Sequence, residues 1–143
     1  EFKENFEAFL FEKIIAKEAM NMNGDVIYVS DLDTNEVVYA NEVAKVLFGT
    51  DNIGRKCYDV FQGFARECDF CNNETLRSNP NKADEWVFYN QQVNKLYFII
   101  DVMKVVKDPR GRVWRLRFER ATDITDRVGD IKKLDKKYLH GTK

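Results

Sequence analysis

The sequence predicts an α+β fold: a five-stranded antiparallel sheet with short helices gathered on one face and a longer helix at each end. Two observations carry this. Strand-like segments come in hairpin-linked runs, two early and three late, an order that one antiparallel sheet accommodates. Between the runs, and at both ends, apolar residues recur at helical spacing instead.

Residues 1 to about 22 place Phe2, Phe6, Phe9, Leu10, Ile14, Ile15 and Met20 among Glu and Lys, without Gly or Pro, as a helix does. Asn23-Gly24-Asp25 is expected to end it. Asp25 to Ser30 is β-branched and aromatic, hence a strand; Asp31 to Asn35 is turn chemistry, and Glu36 to Ala40 completes a hairpin. Asn41 reads as the N-cap of a short helix closed by Gly49, a better use of a polar residue before an apolar-periodic run than ligand binding. Residues 50 to 83 hold short helices and loops, with a helix expected over Cys68 to Leu76 and a break at Ser78-Asn79-Pro80-Asn81. Strands follow at about Glu85 to Gln91, Lys95 to Val106 and Arg112 to Thr122, the last two joined by the turn Asp108-Pro109-Arg110-Gly111. In the final strand Trp114, Leu116 and Phe118 alternate with Arg115, Arg117 and Glu119, which predicts that the apolar set faces the core. Ile124, Val128, Ile131, Leu134 and Tyr138 then recur as on an amphipathic helix, with Thr122, Asp123 and Thr125 able to cap its start.

The totals narrow the function classes. The chain has 143 residues, 44% hydrophobic and 13% aromatic, enough for one domain with a real core. A formal net charge of -1 gives no electrostatic case for nucleic acid or an anionic membrane, and the basic residues from Lys104 to Arg117 read as a solvated hairpin face. No apolar run is long enough to span a bilayer, so no membrane contact is expected of this chain. It starts at Glu1 and is expected to be a piece of a longer protein. Three cysteines are too few for a secreted disulfide framework, which points to a reducing cytoplasmic setting.

Several stretches carry a family resemblance. Tyr28 to Asp31, then Val37-Val38-Tyr39-Ala40-Asn41 and Phe48-Gly49, are similar to the opening hairpin and first helix of PAS domains. Gly54 to Gly63 and Cys68-Asp69-Phe70-Cys71 resemble a cysteine-containing bacterial and archaeal subset, and Asp123-Ile124-Thr125-Asp126-Arg127 resembles the family's exit motif. The division this suggests is an N-terminal amphipathic helix over residues 1–23, a PAS domain over 24–127, and the start of a signalling helix over 128–143. The resemblance implies a dimeric sensory input module of a prokaryotic signalling protein. Its output would be a histidine kinase, as in two-component systems, or a diguanylate cyclase. Neither is present here, so no enzyme activity is expected of this chain.

Cys57, Cys68 and Cys71 form the one constellation with chemical potential. They are open to three readings: structural thiols, a reversible Cys68–Cys71 disulfide, or three ligands of a metal or iron–sulfur cluster. A closed zinc site lacks its fourth ligand, because the sole histidine, His140, stands near the chain end. That also argues against haem held through imidazole, and no cofactor is predicted. Tyr58, Phe61, Trp86, Phe88, Tyr97, Ile99 and Phe118 either line a small-molecule cavity or form plain core, with the hydroxyls of Tyr58, Tyr89 and Tyr97 suited to orient a ligand. Thr122, Asp123, Ile124 and Thr125 are the expected signal exit. The stripe of residues 2–20 is too wide for a solvated helix and must bury against the sheet, a second copy or both; a homodimer through the N- and C-terminal helices is expected. A small thiol–disulfide oxidoreductase using Cys68 and Cys71, and a ligand-free structural dimerisation domain, are the rival readings.

Overall fold

The computed structural model describes residues 2–127 of the chain. Helix α1 (Phe2–Met20) leads into the hairpin β1 (Val26–Asp31) and β2 (Val37–Ala40). Three short helices follow, α2 (Glu42–Phe48), α3 (Cys57–Gln62) and α4 (Asn73–Ser78). Strands β3 (Asp84–Asn90), β4 (Lys95–Lys107) and β5 (Val113–Asp123) and a 3₁₀ turn at Thr125–Arg127 complete the chain as described. The sheet has the order β2-β1-β5-β4-β3 and every pairing is antiparallel. The last strand therefore sits at the centre, beside the first. No helix among the described residues is long and apolar enough to cross a membrane.

Local chemistry explains most boundaries. Asn41 caps α2 by accepting the Ala44 N–H at 3.1 Å, and it does more. The same oxygen accepts the Ile27 N–H at 3.1 Å, while its amide donates to the carbonyls of Asp25 at 2.9 Å and Met20 at 3.0 Å. One buried side chain thus ties the end of α1 to β1 and α2. Helix α1 stops at Met20, earlier than Asn23-Gly24 would place it, where the Asn21 amide takes the Lys17 carbonyl at 2.9 Å. In the β4–β5 turn Gly111 adopts φ 87°, and Asp108 accepts the N–H groups of Arg110 and Arg112.

Along each strand, alternation decides which face a side chain occupies. Val26 and Tyr28 of β1, Phe88 of β3, Tyr97 and Ile99 of β4 and Ala121 of β5 form the core with Ala44, Val60 and Phe61 from the helices. Tyr28 stacks on Phe61 with ring centroids 4.0 Å apart, and Phe48 meets Phe61 edge-on.

Strand β5 reverses the expected orientation. Arg117 and Glu119 are buried on the same side as Ala121, whereas Leu116 and Phe118 fall on the opposite face, with Phe118 beside Val29 and Val102. The physical reason is Asp101, buried on the neighbouring strand, which requires a buried cation, and Arg117 supplies it.

Helix α1 is exposed along its described length, with Phe9 at 60%, Phe11 at 63% and Ile14 at 58% of full exposure. Of the coverings open to its apolar stripe, the sheet or a second copy, the sheet supplies none among the described residues. The C-terminal apolar stripe and His140 lie outside the described residues.

Candidate functional site

Two adjoining clefts lie between the sheet and helices α2 and α3. The first leaves about 20 Å³ open beside Phe61, Phe88, Tyr97 and Ile99. The second leaves about 40 Å³ open beside Tyr58, Trp86, Ile99, Arg117, Glu119 and all three cysteines. Tyr28, Gln62, Ile99 and Glu119 border both, so the two spaces share a wall. This volume admits one or two waters before any side chain moves.

The second cleft is built on a polar network. The Arg117 guanidinium donates to Asp101 Oδ2 at 3.0 Å and to the Tyr28 hydroxyl at 2.8 Å, and lies 3.1 Å from Glu119 Oε1. It also donates to the side-chain oxygen of Asn72 at 3.1 Å, and the Asn72 amide donates to Asp101 and Asp84. Trp86 Nε1 donates to Asp101 Oδ2 at 2.7 Å. Asp101 Oδ1, Arg117 Nε and the Tyr97 hydroxyl are buried with no protein partner. Burial pushes the Glu119 carboxyl well above its ordinary value, Asp101 adding to the rise and Arg117 opposing it. Burial likewise raises the Tyr28 hydroxyl against the pull of Arg117.

Cys68 and Cys71 do not start a helix, as the expected span Cys68 to Leu76 had them. They precede α4 in a turn closed by the Cys71 N–H on the Cys68 carbonyl at 3.1 Å, because Asn73 is where helical bonding begins. Cys57 is the first residue of α3. All three are free thiols and all three face the second cleft. Burial pushes Cys57 up to about 11 and Cys68 up to about 12, Arg117 only partly offsetting it, and Cys71 rises for the same first reason. Thiols so placed are protonated and poor nucleophiles. Among the described residues no group of three or more His, Cys, Asp or Glu is placed to hold a metal ion.

Of the expected pocket residues, Tyr58, Phe61, Trp86, Phe88, Tyr97 and Ile99 line one cleft or the other. Phe118 does not, since it stands on the far face of the sheet. Tyr89 is also outside, its hydroxyl bonded to Asn94. The residues that sequence reasoning missed are Arg117, Glu119, Asp101, Tyr28 and Gln62. A signal for them existed: Asp101 sits two residues from Ile99 and from Met103, hence at an inward position of an otherwise apolar strand.

At the exit β5 runs to Asp123, one residue beyond the expected end at Thr122, and a 3₁₀ turn follows at Thr125–Arg127. Asp123 accepts the Thr125 N–H at 2.9 Å and pairs with Lys95 at 3.0 Å. Thr125 Oγ1 accepts the Leu96 N–H at 2.9 Å, and the Ile124 N–H donates to the Leu96 carbonyl. Burial works against ionisation of Asp123, but Thr125 and Lys95 outweigh it and hold the carboxyl below its usual range. The exit is thereby laced to the start of β4, two residues from Tyr97 in the cleft.

Comparison with known proteins agrees with this architecture. The family model for the PAS domain matches residues 24–126. The PAS domain of an HTR-like protein from Haloarcula marismortui superposes with a TM-score of 0.60 at 13% identity, covering 85% of this chain and 99% of that one. An RNA-binding Light-Oxygen-Voltage receptor matches with a TM-score of 0.51 at 22% identity over 79% of this chain, which spans 33% of the receptor's length. At these identities the likeness is one of fold. No curated protein sequence matches the chain. The sheet order, the helices on one face and the match over residues 24–126 together make this chain a member of the PAS domain family, a sensory fold.

Proposed function

We propose that the chain is the input module of a larger signalling protein, with the cleft beside Arg117, Glu119 and the three cysteines as its sensory site. The observation that carries this reading is the placement of the cleft. Its floor is β5 and β4, and β5 ends where β4 begins, at the Lys95–Asp123 and Leu96–Thr125 contacts of the exit. A small molecule entering the cleft must displace side chains of those strands, because the open volume is only about 40 Å³. The movement would reach the segment after Arg127 and so an output such as a histidine kinase or a diguanylate cyclase.

The exposed apolar surface of α1 supports self-association through that helix, since a patch of this kind marks an interface. Anchored by Asn41 at its end, α1 would hold two copies in a defined register. The oxidoreductase rival is disfavoured by the raised thiols, which leave little thiolate at neutral pH. A sensory module working in a reducing cytoplasm remains the reading with most support.

Mass spectrometry of the denatured full chain, with an absorption spectrum of the native one, tests the ligand. A stoichiometric small molecule that is lost from a cleft-filling Ile99→Trp variant supports the sensory site. Absence of any bound compound, together with a wild-type melt unmoved by a library of small metabolites, would favour the structural dimerisation domain instead.

A further inference from the structure

The network under the cleft is one cation short. Among the described residues lining it, Arg117 alone is basic, and it serves two carboxyls, Asp101 on β4 and Glu119 on β5. These two residues are direct partners across the strand pair and both point to the buried face. Like charges directly opposite on a sheet repel, and a buried charge without a counter-ion takes up a proton instead of persisting. Asp101 meanwhile spends Oδ2 on Arg117, Trp86 and Asn72 and keeps Oδ1 buried without a donor. A proton on Glu119 removes the excess charge and supplies that missing donor at once.

We propose that Glu119 is a proton-binding site: its carboxyl is protonated at neutral pH, donates to Asp101 Oδ1, and on releasing the proton loosens the β4–β5 pair that leads to the exit. The groups that face it are Tyr28 from β1, Asp101 from β4, Arg117 from β5, Cys57 and Tyr58 from α3, and Cys68 and Cys71 from the segment before α4. Asp84 of β3 joins through Asn72. Burial and Asp101 oppose release, while Arg117 and the hydrogen bond with Tyr28 favour it. The site stands whether or not a small molecule occupies the cleft.

The linkage has a definite sign. Glu119 has a raised pKa in the folded chain, so its proton stabilises the fold fully below the ordinary carboxyl value of 4.5. That contribution is lost as pH climbs from there through the folded value. In that window the folding constant of the wild type falls by about tenfold per pH unit relative to Glu119→Gln, which keeps the shape and a donor but cannot titrate. The test is a pH series on the full chain. The ¹³C shift of the Glu119 side-chain carboxyl is followed together with unfolding of wild type and Glu119→Gln, and with amide exchange at Leu96 and Ile124. The expected result is a protonated Glu119 at pH 7 and, once the intrinsic acceleration of exchange with pH is divided out, lower protection at Leu96 and Ile124 above its titration in the wild type alone. Glu119 titrating with ordinary carboxylates, protection at Leu96 and Ile124 unmoved across its titration, or parallel stability curves would each overturn the proposal. If Glu119→Gln does not fold, the carboxyl shift and exchange of the wild type decide it.

Discussion

Replacing Asn41 by alanine removes four hydrogen bonds at once, two accepted by Oδ1 and two donated by the side-chain amide. The lost helix cap alone is worth about 1 kcal/mol. The Ile27 N–H and the Asp25 carbonyl are left without this partner inside the fold, and a buried polar group so stranded costs about 1–3 kcal/mol. The Met20 carbonyl is nearer the surface and recovers a partner from water. A total loss of at least about 3 kcal/mol follows, a large share of the roughly 5–15 kcal/mol that a domain of this size possesses. Urea unfolding of Asn41→Ala beside Asn41→Ser measures it. Serine restores the cap but is too short to bridge to Met20 and Asp25, so it is expected to recover only about 1 kcal/mol of the loss. Full recovery by serine, or a loss in Asn41→Ala no larger than a cap, would refute the claim that this side chain clamps α1 to the sheet.

Three further outcomes are expected. Arg117→Met leaves the buried Asp101 without its cation and should cost about 3–5 kcal/mol; urea unfolding checks it, and a loss below about 1 kcal/mol would contradict it. Timed alkylation read by mass spectrometry should find Cys57 roughly a hundredfold slower than an ordinary thiol, since its pKa stands near 11 against 9.0, and Cys68 slower still. Sedimentation should show that a chain beginning at Asn23 self-associates less than the full chain, and equal monomer fractions would remove α1 from the interface.

The sheet was legible where one physical rule governed each segment. β-branched and aromatic runs, the turn around Asp108 and Gly111, and the capping residue Asn41 all follow from local chemistry. Strand β5 was misread because both of its faces offer something to bury. Trp114, Leu116 and Phe118 are apolar, and Arg117 and Glu119 are charged but paired, so alternation alone predicts the wrong inward face. Only the partner strand resolves it, through Asp101 opposite Glu119, and that register is a tertiary fact. The cysteines stood out as a group by type, yet nothing in their spacing tells that Cys57 of α3 shares a cleft with Cys68 and Cys71. The exposure of the α1 stripe was equally invisible, because a wide apolar stripe fits a sheet or a second copy alike.

The proposed input role requires that events at the cleft leave the domain through the contacts joining the end of β5 to the start of β4. Asp123→Ala removes the side chain that holds both Lys95 and the Thr125 N–H, on an exposed site where such bonds contribute about 1 kcal/mol or less to stability. Signalling output of the full-length parent protein, measured beside the thermal melt of this domain, is the direct test. The account predicts a melt within a few degrees of wild type and an output altered several-fold. An unchanged output with an unchanged melt would contradict it.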